Sequence, residues 1–91
     1  MVRFDRFGNA ITNIDIETFN DYTGGNDFRI NIGNMDFASL HKSYYEQDFT
    51  CLVGSSGYLE FGYYKGSFRE KTGISKCEKV EVRLFELQEF L

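Results

Sequence analysis

The chain has 91 residues, 42% of them hydrophobic and 26% charged, with a formal net charge of −4. That length admits one domain with a single core and little surplus, and the composition is that of a folded chain, not a disordered one. The acidic balance argues against a nucleic-acid backbone as the main partner, since phosphate binding needs clustered cations.

Lys65, Arg69, Lys71, Lys76 and Lys79 do fall close together, but Glu70, Glu78 and Glu81 are interleaved with them. They read as a solvated mixed-charge surface. No apolar run is long enough to span a bilayer and no signal peptide is visible. Cys51 and Cys77 lack metal-ligand spacing and read as small buried apolar residues, reduced in a cytoplasmic protein.

In chain order, Val2–Asp5 reads as a short strand turned by Phe7-Gly8-Asn9, because glycine and asparagine tolerate left-handed corners. Ala10–Ile14 is a second strand, with Asn9 and Asn13 on the same face as Ile11. Burying such an amide without a partner costs about 1–3 kcal/mol, so these polar groups call for an explanation. Asp15–Tyr22 supplies one helical turn, stopped by Thr23-Gly24-Gly25-Asn26. Phe28, Ile30 and Ile32 alternate with Arg29 and Asn31, and Gly33-Asn34 turns the chain into Met35-Asp36-Phe37.

Ser43–Asp48 is a polar-aromatic connection, with the single histidine, His41, expected in an exposed loop just before it. Phe49–Val53 and Tyr58–Lys65 are strands joined by Gly54-Ser55-Ser56-Gly57. Ser67-Phe68-Arg69-Glu70 is a capping-box pattern for a short helix that Gly73 ends. The last strand runs from Lys79 to about Leu87, with Val80, Val82 and Leu84 inward. The expected fold is all-β in the main: a small β-barrel of six to seven strands with one short helix, forming a single domain over residues 1–91. Ten Phe and six Tyr suit such a fold, where large rings fill a core built from few residues.

With no second histidine, no zinc set forms around His41, and no phosphate loop, nucleophile elbow or persuasive carboxylate pair is present. Two segments remain, DRFGNAITNI (residues 5–14) and GSSGYLEFGYYKGS (residues 54–67). Taken alone, the second is also consistent with a plain hairpin turn and a solvated Glu60.

Together the two segments closely resemble the C-terminal domain of the S-adenosylmethionine (SAM)-cleaving family that includes SAM hydroxide adenosyltransferases and SAM-dependent chlorinases and fluorinases. Asp5, Phe7-Gly8-Asn9, Thr12-Asn13-Ile14, Ser55-Ser56-Gly57-Tyr58-Leu59-Glu60 and Gly66-Ser67 carry the likeness, in the same order, over essentially the whole chain. Tyr63-Tyr64 departs from it, since family members usually have a small apolar residue and Asn there.

The resemblance implies a larger N-terminal α/β domain, absent here, and a homotrimer in which SAM lies between that domain of one subunit and this domain of its neighbour. It further implies that Asn9 binds adenine beside Phe7 and that Asp5 meets the methionine ammonium. Ser55 and Glu60 would line the ligand, and the backbone near Tyr63 and Lys65 would face the adenine edge, with Tyr44 or Tyr45 stacking on the base. Ser56 stands where halogenating members carry arginine, which implies water or hydroxide as nucleophile and adenosine and methionine as products. No catalytic residue, metal or cofactor is expected in this chain, SAM being the substrate; neither nucleic acid nor membrane is expected as a partner. Two other readings stand beside this one: a non-catalytic module binding an adenine nucleotide or single-stranded nucleic acid, and a purely structural assembly domain.

Overall fold

The computed structural model describes residues 2–84. Along the chain come β1 (Arg3–Phe4), β2 (Ala10–Asp15), α1 (Ile16–Thr23), β3 (Phe28–Ile32), β4 (Met35–Phe37), β5 (Phe49–Val53), β6 (Tyr58–Tyr63), α2 (Phe68–Thr72) and β7 (Val80–Leu84). The class is mainly β. Its strands form two antiparallel sheets, ordered β1-β2-β6-β5 and β4-β3-β7.

Period-two alternation sets the second sheet. Ile30 and Ile32 are fully buried, and they stand opposite Val82 and Val80, the half-buried residues of β7. The expected continuation of that last strand to Leu87 lies outside the described residues. In the first sheet, Leu59 and Phe61 of β6 and Cys51 of β5 are fully buried beside Ala10 of β2.

Aromatic rings tie the layers together. Phe61 meets Phe37 of the other sheet at 5.4 Å and stacks on Phe68 of α2 at 5.8 Å, while Phe19 of α1 packs edge-on to Phe28 of β3 at 4.9 Å. Each large side chain so buried contributes about 1.5–3 kcal/mol.

Strict alternation fails in β2, for a reason that answers part of the question its polar residues raise. Ile11 stands opposite Glu60, yet Asp15, not Asn13, stands opposite Tyr58. This register shift marks a bulge. Thr12, buried inside it, donates its hydroxyl proton to the Leu59 carbonyl at 2.9 Å and accepts the Ile14 amide at 3.1 Å. Asn13 is simply exposed.

The segment read as one helical turn is an eight-residue helix. Asp15 accepts the Thr18 amide at 2.6 Å as N-cap, and Gly24 (φ 55°) ends the helix by donating to the Asn20 carbonyl. At α2, Ser67 accepts the Glu70 amide at 3.1 Å and Gly73 terminates the helix, as the sequence pattern requires. The corner at Gly8 (φ 82°) lies against this cap, for a Cβ there would sit 1.9 Å from the Ser67 hydroxyl, and the Gly8 carbonyl accepts the Arg69 amide.

Two expectations need correction. Cys77 is exposed, not buried like Cys51, because it sits in a turn where its amide donates to the Ser75 hydroxyl. His41 is half-buried and not a free loop residue. Its backbone bridges to Leu52, and its ring Nδ1 lies 3.2 Å from both the amide and the carbonyl of Cys51.

Candidate functional site

The Asp5 corner is built by its own carboxylate. One Asp5 oxygen accepts the amides of Phe7 and Asn9, each at 2.9 Å, and the other accepts the Asn9 side-chain Nδ2 at 3.0 Å. The turn thus satisfies polar groups that the sequence leaves looking for a ligand. One group remains available. With Nδ2 committed, Asn9 Oδ1 turns toward Gly62 of β6, 3.2 Å from where a Cβ of Gly62 would stand.

β6 places Glu60 on the same face as Gly62. Glu60 is 9% exposed, so it is not a solvated strand carboxylate. Its Oε1 accepts the Tyr44 hydroxyl at 2.5 Å, and its Oε2 reaches over Gly54, where a Cβ would be only 1.6 Å away. The Tyr44 ring lies on Gly62, its Cε1 and Cδ1 at 2.3 and 2.4 Å from the position of that missing Cβ. Across the ladder Thr50 is the register partner of Gly62 and shares its face; the Thr50 hydroxyl is buried without a hydrogen-bond partner.

Burial pushes the Tyr44 phenol above its ordinary value of 10.0, and its bond to Glu60 and the charges of Glu60 and Asp5 add to the effect. Asn9, bonded to Asp5 through Nδ2 and turned to Gly62 through Oδ1, ties the Asp5 corner to the Tyr44–Glu60 pair. Asp5, Asn9, Tyr44 and Glu60 surround one patch floored by Gly62. It holds an amide oxygen and a buried carboxylate, with the Asp5 charge behind the turn and the Tyr44 ring seated over its floor, a set suited to a ligand that combines positive charge with a planar polar base.

The other sequence-predicted residues lie elsewhere. Ser55 and Ser56 are exposed at the tip of the β5–β6 hairpin, where the Gly57 amide donates to Gly54. The Gly62 end of β6 is four residues from Tyr58, roughly 13 Å along the strand. The two motifs therefore occupy opposite ends of the β2–β6 pair, and Glu60 is the residue between them. Phe7 is 63% exposed under the Arg6 guanidinium. Tyr63 is stacked on Phe49 at 4.8 Å, and Lys65 is exposed, 4.0 Å from Asp48. Tyr45, 78% exposed, meets Tyr64 edge-on at 5.3 Å.

Gly62 and Thr50 are site residues that the sequence alone does not single out. The signal for Gly62 was present, since a glycine inside a strand marks a close approach by another group. Thr50 carried none, because a threonine in FTCLV is ordinary strand composition. Among the described residues no group of three His, Cys, Asp or Glu side chains is placed to hold a metal, and no helix is long and apolar enough to cross a membrane.

The fold is similar to that of a solved structure from Thermotoga maritima, an uncharacterized conserved protein, with a TM-score of 0.66 at 22% identity. The likeness covers 89% of this chain and 33% of that one, so this chain spans about a third of that protein's length. At that identity the likeness speaks to the fold alone. A search of curated proteins found no match. Residues 1–81 match the SAM hydroxide adenosyltransferase C-terminal domain, and the chain belongs to that family.

Proposed function

We propose that this chain is the substrate-binding and trimer-forming C-terminal part of an enzyme that cleaves SAM with water or hydroxide to adenosine and methionine. The N-terminal α/β domain of a neighbouring subunit of the same enzyme completes the site and supplies the groups that activate water. What carries the reading is the meeting of Asp5, Asn9 and Glu60 around Gly62 in a chain of this family.

The chemistry suits these residues. Attack of water at the ribose 5′ carbon breaks the carbon–sulfur bond, and the bonding pair leaves with sulfur, turning the sulfonium of SAM into the neutral thioether of methionine; a proton is released from the water. Asp5 and Glu60 complement the cationic substrate, whose ammonium and sulfonium both carry positive charge. Asn9 Oδ1 is free to accept from an exocyclic amine of a base. Ser55 and Ser56 line an extended ligand from the far end of β6, and a serine at position 56, where halogenating members carry arginine, accords with water or hydroxide as nucleophile. No cofactor takes part, and the free thiols of Cys51 and Cys77 accord with a reducing cytoplasm.

The test is an NMR titration of the chain with adenosine. Weak binding is expected from residues 1–91 by themselves, because the N-terminal domain contributes the rest of the pocket, with amide shifts at Asn9, Glu60 and Gly62. Combining the chain with a separately produced N-terminal domain restores adenosine formation from SAM. Shifts scattered away from those residues, or full hydrolysis by the chain alone, would overturn this division of roles.

A further inference from the structure

Tyr44 fills a space whose lining does not suit it. Its ring lies on Gly62 beside Asn9 Oδ1, with the unpartnered Thr50 hydroxyl on the same face of the sheet. A phenyl ring carries no N–H or O–H for an amide oxygen and no lone pair for a buried hydroxyl, and an unmet buried hydroxyl carries a desolvation cost. Only the phenol oxygen finds a mate, in Glu60. A flat ring with a polar edge would satisfy what Tyr44 leaves unmet.

The segment that carries Tyr44 is suited to moving. It is anchored at one end by the His41 amide on the Cys51 carbonyl and at the other by the Tyr64 amide on the Asp48 carbonyl, both at 2.8 Å. Between these anchors residues 42–47 contain no strand or helix, and their hydrogen bonds are largely local: Glu46 accepts the Lys42 and Ser43 amides, and Ser43 accepts that of Tyr45. Tyr44 is half-buried, and Tyr45 to Asp48 are exposed. Apart from Tyr45 against Tyr64 and Gln47 beside the His41 ring, both exposed contacts, the strap is held inward by the seat of the Tyr44 ring on Gly62 and its bond to Glu60.

We infer that Tyr44 is a displaceable plug. In the free chain its ring and hydroxyl occupy the slot floored by Gly62 and edged by Asn9, Thr50 and Glu60, and the strap 42–47 swings aside to admit a purine base with a polar edge. The inference rests on the nucleoside-binding reading above. It adds that the chain competes with its own ligand, so the closed fraction lowers apparent affinity in proportion.

The test compares adenosine binding by the wild-type chain and Tyr44→Phe, which keeps the ring and removes the bond to Glu60. It also follows the ¹⁹F resonance of 3-fluorotyrosine placed at position 44 of the otherwise wild-type chain. Loss of a charge-assisted bond shifts the closed-to-open ratio about ten-fold. The expected result is adenosine binding about ten-fold tighter in Tyr44→Phe, with the position-44 resonance moving to its solvent-exposed value as adenosine saturates the chain. Binding at Asn9 and Glu60 with unchanged or weaker affinity in Tyr44→Phe, or with an unmoved resonance, overturns the plug and leaves the nucleoside reading standing. Binding by neither protein overturns both.

Discussion

Tyr44 donates its phenol proton to Glu60 at 2.5 Å while its ring rests on the backbone of Gly62, two residues further along the same strand. The two contacts define each other. Without a side chain at position 62 the ring can come this close, and from there its hydroxyl reaches the buried Glu60 carboxylate.

Gly62→Ala tests the seat of the ring. The new methyl meets Tyr44 ring carbons at 2.3–2.4 Å, so the ring must leave. A destabilisation of about 1–3 kcal/mol is expected from this overpacking, read as a lower urea midpoint. Tyr44→Ala in the same chain removes the clash, and the double variant should lose less than the sum of the singles. Additive losses would mean that the ring does not sit on Gly62.

The two buried threonines of the first sheet should behave oppositely. Thr12→Val removes a hydroxyl that both donates to Leu59 and accepts from Ile14. It should cost about 1–3 kcal/mol, because a buried carbonyl and an amide each lose a partner. Thr50→Val removes a hydroxyl with no partner and should be neutral or stabilising in urea unfolding. On the nucleoside reading, the same Thr50→Val change weakens adenosine binding. Equal destabilisation by both substitutions would contradict these hydrogen-bond assignments.

The parts of the fold legible in the sequence are those fixed by local chemistry. Ser67 and Gly73 bound α2, Gly33-Asn34 turns β3 into β4, and Phe28, Ile30 and Ile32 face the core, because caps, turns and alternation are each decided within a few residues. The bulge in β2 was not legible. It depends on the Thr12 hydroxyl finding a carbonyl 47 residues away. Likewise the length of α1 follows from an Asp15 cap that also closes β2. At the site, Asp5, Asn9 and Glu60 stood out as polar groups among apolar neighbours. Their convergence does not, because the local Asp5–Asn9 turn comes beside the Glu60–Tyr44 pair at Gly62 only once β2 lies beside β6.

Alkaline titration should expose the environment of Tyr44. Its folded phenol titrates above the ordinary value of 10.0, chiefly through burial and then through Glu60. The folded state therefore holds this proton more tightly than the unfolded state. The stabilisation is fully present below about pH 10 and is lost as pH rises through the folded value. Stability measured by urea unfolding should fall more steeply above pH 10 in the wild type than in Tyr44→Phe. Parallel curves would show that Tyr44 does not sit in this environment.

Asn9→Ala separates the two duties of that side chain. Its Nδ2 braces the corner through Asp5, and its Oδ1 faces the slot above Gly62. Loss of the brace alone should cost about 0.5–1.5 kcal/mol of stability, since the Asp5 carboxylate keeps the Phe7 and Asn9 amides and has solvent at hand for the rest. Loss of a buried bond to the base should weaken adenosine binding by about 1–3 kcal/mol, roughly 5- to 150-fold. The reconstituted two-domain enzyme is where the second effect is read, as a rise in the SAM dissociation constant. If stability falls and affinity does not, Asn9 is a brace for the turn only, and the adenine contact belongs to another residue of the slot.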